Sequence, residues 1–434
     1  MGLDMFTTDP LCRSDDRNGS TGVKMLRRFS LYGFLKNQRY FEPFIILAFI
    51  DKGLSFTSIG LLIAFRELAV NLLEVPSGAL ADVYGRRKSM IASFISYIAS
   101  FVLFGLAESF WMLLPAMFLF AGGEAFRTGT HKAMIFSWLR QQGRTGDKTQ
   151  VYGYTRSWSK IGSAVSVVIA TVVVIVLQDY SSVFFLAALP YIAGIINIAG
   201  YPASLDEPGD QTKTGAWSHL LTTCREAFTA PRIRRLLLES MGFEGLFKTA
   251  KDYLQPVLQG AALVVTVKLA ASPDFSEVQR TALLVGPVYM VLHLLSAAAS
   301  RNAHRLVGPE SDEELAAHKL WSSAVLLFAM LLPALYWSNY AIIIVCFVAL
   351  YALQDFWRPI LITRFDHSGK ENQAATLLSL ENQAKSLGTM VLAPVAGCAV
   401  DLVTQHEAGG AYWPIAAIGL LVTVAFRLTS TKAA

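Results

Sequence analysis

The chain has 434 residues, 53% of them hydrophobic and only 16% charged, with a mean hydropathy of +0.44 and a formal net charge of +5. That balance lies outside ordinary soluble composition and points to a polytopic membrane protein, while a charge excess this small, spread over loop ends, gives no support to a nucleic-acid partner. The four cysteines, Cys12, Cys224, Cys346 and Cys398, show no metal spacing, so neither zinc nor a disulfide framework is expected.

A bilayer core of about 30 Å needs roughly 20 apolar residues per helix, and runs of that kind predict about twelve spans. They start near Leu31, Thr57, Ser89, Phe110, Val151, Val183, Leu236, Leu283, Leu320, Ala341, Leu377 and Trp413. Residues 1–28 are polar and read as a cytoplasmic tail; residues 29–202 hold six spans and residues 235–430 another six. Between them, 203–234 reads as a cytoplasmic linker, in which Trp217, Leu220, Leu221, Cys224 and Phe228 fall on one face of a short amphipathic helix. Lys and Arg crowd alternate loops, at Arg27 and Arg28, at Arg86 to Lys88, at Arg140 and Arg144, and at Arg232 to Arg235. Basic residues resist translocation, so both termini are expected in the cytoplasm.

The first span contains RYFEPF, residues 39–44, where lipid would penalise Arg39 and Glu42. The start of the second half echoes it as DYLQP, residues 252–256, and EAFR (124–127) is echoed by DFWR (355–358). Each echo joins equivalent spans, the first with the seventh and the fourth with the tenth, as expected of a duplicated bundle. A charge at the bilayer centre costs on the order of 2.5 to 3.5 kcal/mol, and an exposed helical ion pair returns only about 0.3 to 0.5. These groups are therefore expected to face a water-filled passage rather than lipid. Arg39 with Glu42, Glu124 with Arg127, and Asp355 with Arg358 are each three apart, and Glu244, Lys248, Lys251 and Asp252 follow helical spacing, so each set is predicted to share one helix face. Pro43 and Pro256 predict matching kinks. Farther along the fourth span, His131 and Lys132 add positive charge, and Arg156 with Lys160 and Glu381 with Lys385 read as inner-gate pairs.

At the end of the second span stands SGALADVYGRRKS, residues 77–89. Its Gly78, Leu80, Asp82, Gly85, Arg86 and Arg87 closely resemble the loop signature of the major facilitator superfamily, and Glu74 and Pro76 just before it resemble a variant of bacterial members. The resemblance implies an all-α fold of twelve transmembrane helices in two pseudo-symmetric six-helix bundles, a monomer, and secondary active transport by alternating access. It implies a central cavity lined by the first, fourth, seventh and tenth helices, and a gating motif (Gly78, Asp82, Gly85, Arg86, Arg87) in which Asp82 latches the halves in the outward-open state. Gly78 is expected to permit close helix approach and Gly85 a tight turn.

The expected substrate site comprises Arg39, Tyr40, Glu42, Glu124, Arg127, His131, Lys248, Lys251, Asp252, Tyr253, Asp355, Trp357 and Arg358. Near-balanced charge tipped positive, with aromatic surface, favours a small organic anion or zwitterion. No nucleotide-binding loop is present, which leaves an ion gradient as the driver; protons are expected, with Glu42, Glu124, Asp355 and Glu74 as carriers. Two readings compete. A proton-driven multidrug efflux pump would favour a sparsely charged aromatic cavity, and a non-transporting receptor or scaffold would have little use for a latch. The scattered histidines build no enzyme site, and no cofactor is expected.

Overall fold

The computed structural model describes residues 19–206, 230–268, 275–302, 313–368, 374–406 and 409–430. Among these residues there is no strand and there are fifteen α-helices. The first eight are α1 (Gly19–Lys36), α2 (Ile45–Asp51), α3 (Phe56–Tyr84), α4 (Arg86–Leu106), α5 (Phe110–Arg127), α6 (Thr130–Gln141), α7 (Lys148–Leu177) and α8 (Ser182–Ala199). The second half holds α9 (Pro231–Asp252), α10 (Leu254–Lys268), α11 (Glu277–Asn302), α12 (Glu313–Tyr336), α13 (Tyr340–Ser368), α14 (Ala374–His406) and α15 (Trp413–Ser430). Eight of the described helices are long and apolar enough to cross a membrane. The amphipathic helix expected around Trp217 lies outside the described residues, and so does the tail before residue 19.

Helix α1 begins well before Leu31. Met25 and Leu26 are buried, so residues 19–28 belong to the first helix rather than to a tail. Three of the interruptions fall where the echoed motifs stand. Residues 37–44 separate α1 from α2, Thr128 and Gly129 separate α5 from α6, and Tyr253 separates α9 from α10. Glycine at 129 takes φ +77°, a left-handed turn that side chains resist. Pro256 sits in the first turn of α10, where a missing N–H costs nothing.

Within each half, long-range packing is helix on helix. Serines on α4 stitch it to α5: the hydroxyls of Ser89, Ser93, Ser96 and Ser100 donate to the carbonyls of Phe126, Gly123, Leu119 and Ala116, at 3.2, 2.6, 2.6 and 2.8 Å. Small residues and hydroxyl donors suit a medium in which apolar surface gains nothing by leaving lipid. Outward faces stay apolar, as in Leu72, Ile196 and Leu421, and Trp111 and Trp337 lie exposed at helix ends, an arrangement suited to lipid and its interfaces.

Two pairs of helices carry most of the contact between the halves, α3 with α14 and α7 with α11. Gly60 on α3 and Gly397 on α14 allow that approach, since a Cβ at either would collide with the backbone of Ala393 or Phe56. At the end opposite the start of α1, Asp401 of α14 caps α3: its carboxylate accepts from the N–H of Phe56 (3.0 Å), the N–H of Thr57 (2.8 Å) and the Thr57 hydroxyl (2.6 Å). A carboxylate suits the positive end of a helix dipole and satisfies two orphan donors there. Gln279 of α11 adds a bond to the Ile175 carbonyl of α7. The halves are thus clasped at that end.

Candidate functional site

Unwinding of RYFEPF explains how a polar stretch lives in the middle of the bundle. The released backbone groups find partners: Tyr191 OH donates to the Lys36 carbonyl (3.1 Å), Gln255 Nε2 to the Glu42 carbonyl (3.0 Å), and the Ile46 N–H donates to Gln255 Oε1 (2.8 Å). Gln255 is the glutamine of DYLQP, so the second copy of the motif clasps the break in the first. Irregular backbone is tolerated at depth only where it is satisfied in this way. Because residues 37–44 are not helical, the expected shared face of Arg39 and Glu42 does not form. Arg39 reaches across to α5 instead, its Nη2 3.1 Å from Glu124 Oε1.

Glu124 is held from two sides. Its second oxygen accepts a short hydrogen bond from Arg127, one turn on, as the i,i+3 spacing predicts, and Arg127 Nε donates to Tyr97 OH (3.4 Å). The arginines and Glu124 line a central cavity of about 410 Å³ whose walls come from both halves: Arg39, Glu42, Arg66, Glu67, Glu124 and Arg127 from one, and Lys248, Lys251, Asp252, Gln255, Tyr289 and Tyr351 from the other. The lining carries five bases and four acids.

Glu67 is the residue that sequence reasoning missed. It is buried, accepts from Arg66 Nη2 (2.8 Å), and crosses to the other half, where Lys248 Nζ (2.7 Å) and Ser386 Oγ (2.6 Å) bond its second oxygen. One carboxylate so joins α3, α9 and α14. Its only sequence signal was an acid directly after Arg66 in an otherwise apolar helix.

Other expected residues are dispersed. Lys248, Lys251 and Asp252 do share the cavity face of α9, while Glu244 turns to Gln354 Nε2 (3.2 Å) on α13. Arg358 is not centred on Asp355; it donates to Glu381 of α14, which also accepts from Ser240 Oγ (2.8 Å). Trp357 is fully buried in the second half, stacked on Phe243 at 4.1 Å and 13°, and packs the core instead of lining the cavity. Tyr253 stacks on Phe56 (5.7 Å) at the contact between halves, and neither it nor Tyr40 lines the central cavity. Both are buried. Asp355 lies outside the cavity walls too. His131 stacks on Tyr32 (3.7 Å, 20°) and Lys132 lies over the rings of Phe136 and Tyr152; both line a second cavity.

The motif between α3 and α4 is held by an unforeseen partner. Gly85 adopts φ +96°, and a Cβ there would strike the carboxylate of Asp206. Asp206 accepts from the Arg87 N–H (2.8 Å), at the first turn of α4, and Arg87 also donates to the Tyr201 carbonyl (3.0 Å). The tight turn expected at Gly85 is present. At Gly78 an added Cβ meets no described atom within 4 Å, so this glycine does not mark a close helix approach. Arg86 begins α4; Asp82 lies in the last turn of α3, and its side chain is outside the described set. Glu74 is half-buried on α3 and lines neither cavity.

In the second half Arg364 does the corresponding work with more force. It is 1% exposed and bonds Glu239 of α9 and Glu314 of α12, each at 2.6 Å, tying three helix ends together.

Comparison with known proteins agrees with this architecture. A curated relative, the uncharacterized MFS-type transporter YxaM of Bacillus subtilis (strain 168), is 34% identical over 95 residues, 22% of this chain. The match spans about a quarter (24%) of that relative's length. Among solved structures, nucleoside transporter NupG superposes with a TM-score of 0.74 at 13% identity, covering 94% of this chain and 100% of that one. A POT family transporter in complex with 5-aminolevulinic acid gives 0.68 at 12% identity, with 94% and 96% covered. A D-xylose-proton symporter gives 0.66 at 11%, again with 94% and 96% covered. At such identities these likenesses speak for the fold alone. The Major Facilitator Superfamily profile, however, matches residues 37–394, most of the chain. An integral membrane, non-enzymatic transporter is what the helices, the two-walled cavity and that match together describe, and the chain belongs to the major facilitator superfamily.

Proposed function

We propose that the protein is a proton-coupled secondary transporter that moves a small organic anion or zwitterion through the central cavity by rocking its two halves. The observation that carries this reading is the cavity lining: five bases against four acids, contributed by both halves and joined across them by Glu67 and Lys248. A substrate with carboxylate and ammonium groups can replace those pairs one for one, which is how binding would be coupled to a change of state. Nine charged side chains in the wall oppose a lipophilic cation as the principal cargo.

The clasp between Asp401 and the start of α3 supports an inward-facing state when α1 starts on the cytoplasmic side, as the loop charge favours, since the clasp then lies at the outer end. Opening outward requires that clasp to break and an inner latch, expected at Asp82, to form. Coupling to protons fits the electrical balance, since an interior-negative potential opposes each incoming negative charge by about 2.3 kcal/mol per 100 mV.

The test is a thermal-stability screen of purified protein against organic anions, zwitterions and lipophilic cations at two pH values, with Arg39→Ala alongside. Stabilisation by anions or zwitterions, lost in the variant, is the expected result, because ligand bound to the folded state raises its apparent stability. Stabilisation by lipophilic cations that survives Arg39→Ala would overturn the assignment in favour of drug efflux.

A further inference from the structure

A second cavity of about 410 Å³ lies wholly within the first half, between α1, α6 and α7. Its charge is unlike that of the central one. Lys36, Arg127, His131, Lys132, Arg156 and Lys160 line it, and no aspartate or glutamate does. Among the described residues Arg127 alone of these six is ion-paired, and its partner Glu124 stands on the side of the central cavity. The neutral part of the wall includes the stacked faces of Tyr32 and His131 and the side chains of Thr155, Ser159 and Ser163, whose hydroxyls donate to backbone carbonyls of their own helix and leave their lone pairs toward the cavity's cations.

Topology alone explains basic residues at helix ends, where they reach into water beside lipid headgroups. It does not explain these. Arg156 and Lys160 lie two to three turns into α7, on the face that α1 and α6 share, and Lys36 closes the far end of α1. Two like charges 4 Å apart repel by about 1 kcal/mol in water and about 4 at an effective dielectric constant of 20. Lys132, Arg156 and Lys160 are exposed to water in the cavity, so their repulsion is nearer the smaller figure, and an entering anion turns that repulsion into attraction. Guanidinium groups from two helices present planar forks suited to phosphate or carboxylate, and the lysines supply point charge around them. The volume is within the range of small-molecule sites.

We propose that this cavity binds a multiply charged oxyanion group, phosphoryl or polycarboxylate, at a site separate from the central cavity and coupled to it. Arg127, which borders both cavities, is the contact between the two sites. An oxyanion seated here competes with Glu124 for that guanidinium, so occupancy loosens the pair that walls the central cavity.

The experiment is equilibrium binding and thermal unfolding of the full chain in detergent with pyrophosphate and with tricarballylate, against sodium chloride at matched ionic strength. Both oxyanions are expected to stabilise the protein beyond chloride. Arg156→Gln combined with Lys160→Gln is expected to raise the Kd for pyrophosphate at least tenfold, with Lys36→Gln as an independent single variant on another helix. Arg140→Gln combined with Arg144→Gln removes the same charge from outside the cavity and is expected to leave the Kd within twofold. Stabilisation no greater than that by chloride, or equal weakening by the two double variants, would overturn the proposal in favour of general electrostatics. Repeating the titration in phosphatidylglycerol and phosphatidylcholine nanodiscs separates the sources: a higher pyrophosphate Kd in phosphatidylglycerol supports a lipid headgroup as the oxyanion, and an equal Kd supports a soluble one.

Discussion

In the first half both oxygens of Glu124 are taken by arginines, Arg39 from the unwound segment and Arg127 from its own helix; in the second, Glu381 gives one oxygen to Arg358 and Ser240, and its other oxygen is buried with no hydrogen-bond partner among the described residues. Glu244 repeats that half-satisfied pattern, with one oxygen on Gln354 and the other unpartnered. The two bundles carry the echoed stretches RYFEP and DYLQP, yet they divide the work. A carboxylate clamped by two guanidiniums is a fixed anion that shapes a binding wall, whereas a buried carboxylate with an idle oxygen has room for a proton. The second half is then the better place to look for coupling, which moves attention from Glu124 to Glu244, whose bonded partner is the neutral amide of Gln354 rather than an arginine.

The largest expected effect tests the scaffold under this contrast. Arg364 is buried with two acids around it, so Arg364→Ala leaves the buried Glu239 with Arg235 alone and should cost about 3 kcal/mol. Arg87, the arginine that ties a helix start in the first half, is 27% exposed and 3.6 Å from Asp206, so removing its side chain should cost no more than about 1 kcal/mol. Thermal unfolding in detergent, monitored by a maleimide dye or by tryptophan emission, compares the two. Equal losses would mean that the ends of the two halves are held alike.

The next effect is on function. Glu124→Gln should weaken substrate binding on the order of 100-fold, about 2.7 kcal/mol, at every pH, because two arginines lose their common partner. Glu244→Gln, which replaces a carboxylate bonded only to the neutral amide of Gln354, should leave binding within a few-fold and abolish the pH dependence of uptake into proteoliposomes. If the two phenotypes come out exchanged, the assignment of roles to the halves is reversed.

How far these roles could be read in advance depends on where a residue's partner lies. The helical, membrane-embedded fold and the Glu124–Arg127 pair follow from composition, apolar runs and i,i+3 spacing, and all three are present. The face shared by Lys248, Lys251 and Asp252 on α9 was equally local information. Partners distant in sequence were not. Glu67 looked like half of a neighbouring pair with Arg66, and its bond to Lys248 depends on how the bundles dock. Arg39 lost its expected partner Glu42 because the proline-containing stretch unwinds, and periodicity arguments fail once the helix stops. Trp357, read as cavity surface from its place beside Arg358, is a core residue because Phe243 offers a ring to stack on.

A smaller effect concerns the clasp between the halves. Asp401→Ala removes a helix cap made by three bonds, which should lower the stability of the clasped state by about 1 to 2 kcal/mol. That is a factor of roughly 5 to 30 in the ratio of conformations. Distances between spin labels on α3 and α14 at that end should broaden toward longer separations. A distribution identical to the wild type would mean that Gly60 and Gly397 hold the helices together without the cap.

The smallest effect distinguishes how the halves use serine. In the first half Ser93 donates across to the Gly123 carbonyl of α5, while in the second Ser323 donates back to Lys319 of its own helix. Alanine is the better helix former by a few tenths of a kcal/mol, so Ser323→Ala should be neutral or slightly stabilising. Ser93→Ala gains the same propensity but loses an inter-helix bond worth about 0.6 kcal/mol, and should be net destabilising. The sign carries more than the size. The serine ladder sets the approach of α4 to α5, Tyr97 stands on α4 against Gly123, and Arg127 is bonded to Tyr97. A destabilised Ser93→Ala with weakened substrate binding would tie the ladder to the position of Arg127. A variant that unfolds earlier yet binds normally would confine the ladder to holding the bundle and leave Glu124 alone to orient the arginine.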